Sequence, residues 1–410
     1  MHRSLKLAVC AAALGAAVLP NLPATAATFG TPVVVSPNDV SEPGIEVAPD
    51  GTLYVHGPTG VPLRSSIWRS DDAGASWIPT SPFYRTGLGG GDIDITIQPN
   101  GKLAFTDLWL GSSSVGVSSD KANSWLTNQV QGTLVQDRQW VANTGRDITY
   151  HVTHQLAAGL IVAKSLDGGL TYPVQQVAAT TLDQGNCICP PGYLIAEAGT
   201  ATAGTDDKVG VIYTTATGVK FSRSVNGGLT WAHAVVDPTG GASTIDAFPV
   251  VANVGGGKLA AAWLEVSGST SRVMFSSSLN WGANWSAPRA IVSGGASVFP
   301  WIDARNGRIG VSVYHTTSSG NPDNVPNSAQ WHLKFLDSTD GGATWGGLTT
   351  ADPTAVKSGP ICTDGINCGA DRELGDFQML AFDNAGKANI SYVRSINGAN
   401  DTEVRFVKES

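Results

Sequence analysis

Short runs of alternating apolar and polar residues dominate the chain. Ser66-Ile67-Trp68, Ala234-Val235-Val236 and Lys334-Phe335-Leu336 are examples. Period-two alternation bounded by turn residues predicts strands. Between pairs of such runs stands an eight-residue box. Its copies are SDDAGASW (70–77), SSDKANSW (118–125), SLDGGLTY (165–172), SVNGGLTW (224–231), SLNWGANW (278–285) and STDGGATW (338–345). Each box reads as a hairpin turn. The Asp or Asn side chain can accept turn N–H groups, glycine supplies positive φ, and the closing Trp or Tyr buries a ring against a neighbouring sheet.

The boxes recur roughly every fifty residues, which signals a repeat architecture. A second set of turns lies upstream of each box. These are Pro49-Asp50-Gly51, Pro99-Asn100-Gly101, and the stretches 143–147, 199–208, 253–258 and 304–308; one more, 383–387, follows the last box. Seven first hairpins against six boxes leaves one repeat short of a turn. After the seventh hairpin only one further strand fits, near Glu403 to Val407, and Thr31 to Ser36 (TPVVVS) is the candidate for its missing partner. The pattern predicts an all-β, seven-bladed β-propeller of four-stranded blades, the last blade closed by the N-terminal strand. Closure of that kind leaves only short sheet edges.

Composition agrees. The 410 residues include 49 Gly and 12 Trp and are only 14% charged, which suits short strands and tight turns. The formal charge of −8 comes with no basic run, so neither nucleic acid nor an acidic membrane surface is an expected partner. The first 26 residues read as a signal peptide: a start charged by Arg3 and Lys6, an apolar run from Leu7 to Leu19, and a small-residue cleavage pattern at Ala24-Thr25-Ala26. Cleavage there takes the formal charge from −8 to −10. The expected product is a secreted (extracellular) monomer, residues 27–410, with no membrane span. Export makes disulfides the first reading of Cys187, Cys189, Cys362 and Cys368, with local pairs 362–368 and 187–189 favoured. A zinc site is the runner-up.

The motif S-x-D-x-G-x-[ST]-W is the Asp box, or BNR repeat. From about residue 28 onward the chain resembles the sialidase-like Asp-box propeller superfamily. The resemblance implies a secreted propeller that acts on glycans or binds without catalysis. It also brings the alternative of six blades, the number in sialidases. The sialidase Arg-Ile-Pro signature has no counterpart here; Arg64 stands in Pro62-Leu63-Arg64-Ser65-Ser66. Tyr392 could be cast as the nucleophilic tyrosine of such enzymes. Tyr150, Tyr213 and Tyr314 occupy similar positions, however, and a core role with a bonded hydroxyl accounts for all four.

Ligand groups belong where the innermost strands begin and converge on the channel. Those starts carry Asp92, Asp94, Asp137, Arg138, Trp140, Asp246 and Asp376; Arg372 and Glu373 precede the last, and Trp109 follows a second strand. Asp92, Asp137, Arg138, Asp246, Arg372 and Asp376 are the catalytic candidates. Asp94, Trp109, Trp140 and Glu373 are the ligand-binding candidates. Three readings stay open. The carboxylates could lock blades together through arginines and loop N–H groups. They could hold a hard cation, calcium being the one such a site would take, though no cofactor is required. They could hydrolyse glycosidic bonds, one carboxyl as acid and another as base or nucleophile. The expected function is a secreted sialidase-like propeller that engages carbohydrate at its channel, acting as an exo-glycoside hydrolase; the alternative is a non-catalytic binding or scaffold propeller. His151 and His154 lie three apart on one predicted strand and so on opposite faces, which makes them poor joint metal ligands.

Overall fold

The computed structural model describes residues 26–37, 40–60, 64–80, 89–109, 111–129, 135–187, 189–239, 248–369, 371–397 and 401–410. Residues 1–25 of the proposed signal peptide and Asp246 lie outside the described residues.

Seven antiparallel sheets form, one per repeat. Their innermost strands are Gly44–Val47, Ile93–Ile97, Gln136–Gly145, Pro191–Glu197, Val250–Gly255, Ala296–Arg305 and Met379–Phe382, taken as blades 1 to 7. Innermost strands of successive blades pack on one another around the full circle, blade 7 on blade 1 included. Seven sheets exclude the six-bladed alternative. Blade 6 carries an extra short strand, Lys357–Ser358, which pairs with Gln330–Ser338.

Ring closure follows the predicted route. Val33–Ser36 pairs antiparallel with Thr402–Lys408, Val33 facing Phe406. A bridge between Phe29 and Glu409 extends the seam, and the Ser410 N–H donates to the Thr28 carbonyl at 2.8 Å.

The apolar pattern explains the burial gradient within a blade. The second strand of blade 3, Ile148–Gln155, is buried at every residue, whereas its outermost strand, Val174–Ala179, is largely exposed. A middle strand has sheet neighbours on both sides and blades on both faces; an outer strand has one open edge.

The boxes make the turns between third and fourth strands. In the last one, Ser338 Oγ accepts the Gly342 N–H at 2.9 Å and donates to Asp340 Oδ1 at 2.8 Å. Asp340 also takes the Thr344 N–H at 2.9 Å and its hydroxyl at 2.6 Å. Three box tryptophans pack edge-on against a phenylalanine of the preceding blade: Trp285 on Phe221, Trp345 on Phe275 and Trp77 on Phe406, at 5.0–5.4 Å. The boxes therefore join blades as well as turn the chain. They lie at the end of the ring opposite the starts of the innermost strands.

Cys187, Cys189, Cys362 and Cys368 form the local pairs, Cys187–Cys189 and Cys362–Cys368, so none of these four is left as a zinc-binding thiolate. Tyr150, Tyr213, Tyr314 and Tyr392 are fully buried. Their hydroxyls reach Asp207, His233, Val393 and Asp352, respectively, at 2.6–3.4 Å. They are core residues.

Candidate functional site

Five charged side chains meet where the innermost strands of blades 1, 2, 3 and 7 begin. Asp92 immediately precedes its strand. Arg138 sits in a bulge, where the pairing register shifts between Asp137 and Gln139, and its φ is +43°. Bulges re-aim side chains, and a left-handed backbone is unusual for a non-glycine residue. Glu42, on the approach to blade 1, has φ +49°. Arg372 and Asp376 lie on the loop entering blade 7.

Arg138 is the hub. Its Nη2 lies 2.9 Å from Glu42 Oε2, 3.4 Å from Asp92 Oδ1 and 3.5 Å from Asp376 Oδ2. Its backbone N–H donates to Asp92 Oδ2 at 3.2 Å. Arg372 grips Asp376 with two nitrogens, Nε at 3.2 Å and Nη2 at 2.7 Å, and its Nη2 lies 3.4 Å from Glu42 Oε1. Beneath the guanidinium of Arg138 lie the rings of Phe248 at 4.7 Å, Phe377 at 5.0 Å and Trp140 at 5.6 Å. Such faces favour a cation.

Burial pushes Asp92 up to about 7, assisted by the charges of Glu42, Asp137 and Asp376 and opposed by Arg138. Asp376 is likewise raised to about 7, by burial and by Glu42, against both arginines. Glu42 behaves oppositely. Burial would raise it, but Arg138 and Arg372, with hydrogen bonds from Arg138 and Asp376, hold it below the ordinary value. Near neutral pH the group therefore contains an ionised Glu42 and two carboxyls poised to gain or lose a proton.

Of the other sequence candidates, Asp137 and Trp140 border the cluster without joining its ion pairs. Asp137 is exposed on the rim, and its Oδ1 accepts the adjacent Arg138 N–H at 3.0 Å. Glu373 pairs with the buried Lys357 at 2.7 Å, apart from the arginine cluster. Trp140 has no exposed surface and donates to the Pro191 carbonyl at 2.9 Å. With Tyr193, Trp301 and Phe377 it forms an aromatic plug with ring spacings of 5.1–5.8 Å. Trp109 is half-buried at the end of a blade 2 strand. Asp94 lies deeper, where its Oδ2 accepts the Val141 N–H at 2.8 Å and binds blade 2 to blade 3.

Three residues absent from the sequence candidates share that deeper region. Glu46 and Asp303 line a cavity of roughly 300 Å³ with Tyr193, Trp301, Asn143 and Asn253. Asp303 accepts the Phe382 N–H at 2.7 Å, joining blades 6 and 7 as Asp94 joins 2 and 3. Burial raises Asp94 to about 7 and Asp303 to about 6, and raises Glu46 well above its usual range with the help of both. His56, 3.8 Å from Asp94, is driven down to about 3 by burial and is neutral. One signal could have found Glu46 and Asp303. Ile45-Glu46-Val47 and Ile302-Asp303-Ala304 repeat the apolar-acid-apolar form of Ile93-Asp94-Ile95.

Among the described residues no group of three or more His, Cys, Asp or Glu side chains is arranged to hold a metal ion. At the upper mouth the positive charge that the carboxylates face is a guanidinium.

No protein-family model and no curated protein matches the chain. Solved structures do. An α-L-arabinofuranosidase from Fusarium graminearum is similar with a TM-score of 0.51 at 12% identity, over 93% of this chain and 97% of that one. A GH74 xyloglucanase from Xanthomonas campestris gives 0.52 at 13% identity, over 92% of this chain and 55% of its own length. At 12–13% identity the likeness is one of fold: the chain shares its overall β-propeller fold with these two structures.

Proposed function

We propose that the chain is an exported Asp-box propeller that takes a glycan into its upper mouth and hydrolyses a glycosidic bond there. Asp92 and Asp376 serve as the acid and base pair, and Glu42, Arg138 and Arg372 hold them. The observation that carries this reading is the split among the three carboxyls: two sit near 7 while the third stays ionised. Two interacting carboxyls titrate as a pair, so near pH 7 one can be protonated while the other is ionised, which supplies both a proton donor and an acceptor. Asp92 and Asp376 each come within 3.5 Å of the same Arg138 nitrogen, so those oxygens are at most about 7 Å apart, no farther than two carboxyls that flank a glycosidic bond can stand. The charged, apolar and small-residue N-terminus and the two disulfides support export.

The test is a screen of residues 27–410 against sialosides and plant and microbial glycans, with Asp92→Asn and Asp376→Asn alongside. Each variant is expected to lose at least ~100-fold in turnover. The wild-type rate should trace a bell centred near pH 7, since one carboxyl must be protonated and the other ionised. Turnover that survives both substitutions would remove the assignment. The second reading, a non-catalytic binding propeller, is favoured by the two-point grip of Arg372 on Asp376. It predicts glycan binding without cleavage.

A further inference from the structure

We infer that the upper mouth selects an uncharged, hydroxyl-rich glycan and rejects carboxylate-bearing sugars; this rests on the glycan reading above. Recognition of a carboxylate needs a guanidinium fork with free N–H groups and a positive local field. Here both guanidiniums already face carboxylates. Arg138 faces Glu42, Asp92 and Asp376 through one nitrogen, and Arg372 spends two nitrogens on Asp376 and reaches Glu42. Three carboxylates against two guanidiniums leave one net negative charge when all are ionised. One proton on the Asp92/Asp376 pair brings the group only to neutrality. Asp137, exposed on the rim, adds another negative charge beside it.

Access points the same way. Arg138 is 5% exposed, while Arg372 is 35% and Asp92 15% exposed. A ligand therefore first meets one already neutralised cation and one acid. Both can exchange hydrogen bonds with hydroxyls, and neither offers net attraction to an anion. The chain as a whole, at −8, repels polyanions from a distance.

The experiment measures binding of the wild-type chain to a panel of neutral plant and microbial oligosaccharides and to sialyl- and uronate-containing ones, by calorimetry at pH 8 and pH 5. At pH 8 the best neutral ligand is expected to bind at least tenfold more tightly than any acidic one. At pH 5 Asp92 and Asp376 take up protons, with Glu42, Arg138, Arg372 and Asp137 as the charges around them. The group then gains up to two positive charges, and the gap should narrow through tighter acidic binding. Glu42→Gln should narrow it at pH 8 as well; because that side chain is buried, the wild-type pH comparison stands without it. An acidic glycan that binds as tightly as neutral ones at pH 8, and whose binding Arg372→Ala abolishes, overturns the inference and leaves the glycan reading intact. A neutral preference unchanged at pH 5 overturns the charge cluster as its cause. Binding of no glycan at either pH sinks the underlying reading, and the inference with it.

Discussion

Gly341 and Gly342 stand side by side in the last box with similar left-handed backbones, φ +74° and +88°. Their surroundings differ. A Cβ on Gly341 would meet nothing within 4 Å, whereas one on Gly342 would lie 2.4 Å from Phe275 Cζ in the preceding blade. Gly341→Ala is expected to cost about 1 kcal/mol, the strain of a left-handed alanine. Gly342→Ala should cost a further ~1–3 kcal/mol of overpacking. Urea unfolding of both variants measures this; equal losses would show that the box does not clamp the blades. At the same scale, the sequence exposed Asp92, Arg138 and Asp376 because each stands at or close to the start of a regular alternating run. Glu42 was not legible. It precedes Pro43 in an approach turn, it is a Glu where its counterparts are Asp, and only the folded chain brings it to Arg138. Trp140, which lies beneath Arg138, and Glu373 carry the same sequence signal as the members of the ion-pair cluster but do not join it. Their directions are set by a neighbouring blade and by Lys357, which no local pattern encodes.

Hairpins were the most legible elements, since alternation, turn chemistry and box spacing all marked the same boundaries. The predicted pairing of Thr31 to Ser36 with the final strand required only counting, and it is present as Val33–Ser36 on Thr402–Lys408. The long connection from blade 6 to blade 7 was less readable. Its extra strand at Lys357–Ser358 is too short to show a period. Its Cys362–Cys368 bridge and the bond from the Cys362 N–H to the Asp371 carbonyl at 2.9 Å shape the loop that presents Arg372. At this scale the decisive element is the closing strand. Removing residues 27–36 would leave Thr402–Lys408 as an open edge. Such a chain is expected to melt earlier and to form larger species on size exclusion. A shortened chain as stable and monodisperse as the parent would show that this pairing does not hold the ring shut.

Across the molecule, buried acids in the channel and acids in turns oppose each other in their pH dependence. Asp92, Asp94, Asp303 and Asp376 have folded values of about 6 to 7 against an ordinary value of 3.8. Raised acids stabilise fully below the unfolded value, and that stability is lost as pH climbs through the folded one. Asp50, Asp72, Asp206 and Asp340 are lowered to about 2, chiefly by hydrogen bonds. Their contribution is present above the ordinary value and lost as pH falls toward 2. The melting temperature should therefore peak near pH 4 and decline up to about pH 7, each pH unit for one buried channel acid amounting to about 1.4 kcal/mol. Asp94→Asn with Asp303→Asn keeps acceptors for the Val141 and Phe382 N–H groups while removing two titrations, and should flatten that decline. A calorimetric series in which the parent is equally stable at pH 5 and pH 8 would contradict the burial of these acids.

The seam between Thr28 and Ser410 has a practical corollary. Both ends of the ring emerge together on the box side, behind the charged mouth. A short linker across that seam, with new ends opened between any two blades, would yield a circularly permuted chain of the same architecture. An anchor attached beside Thr28 or Ser410 would leave the mouth turned outward.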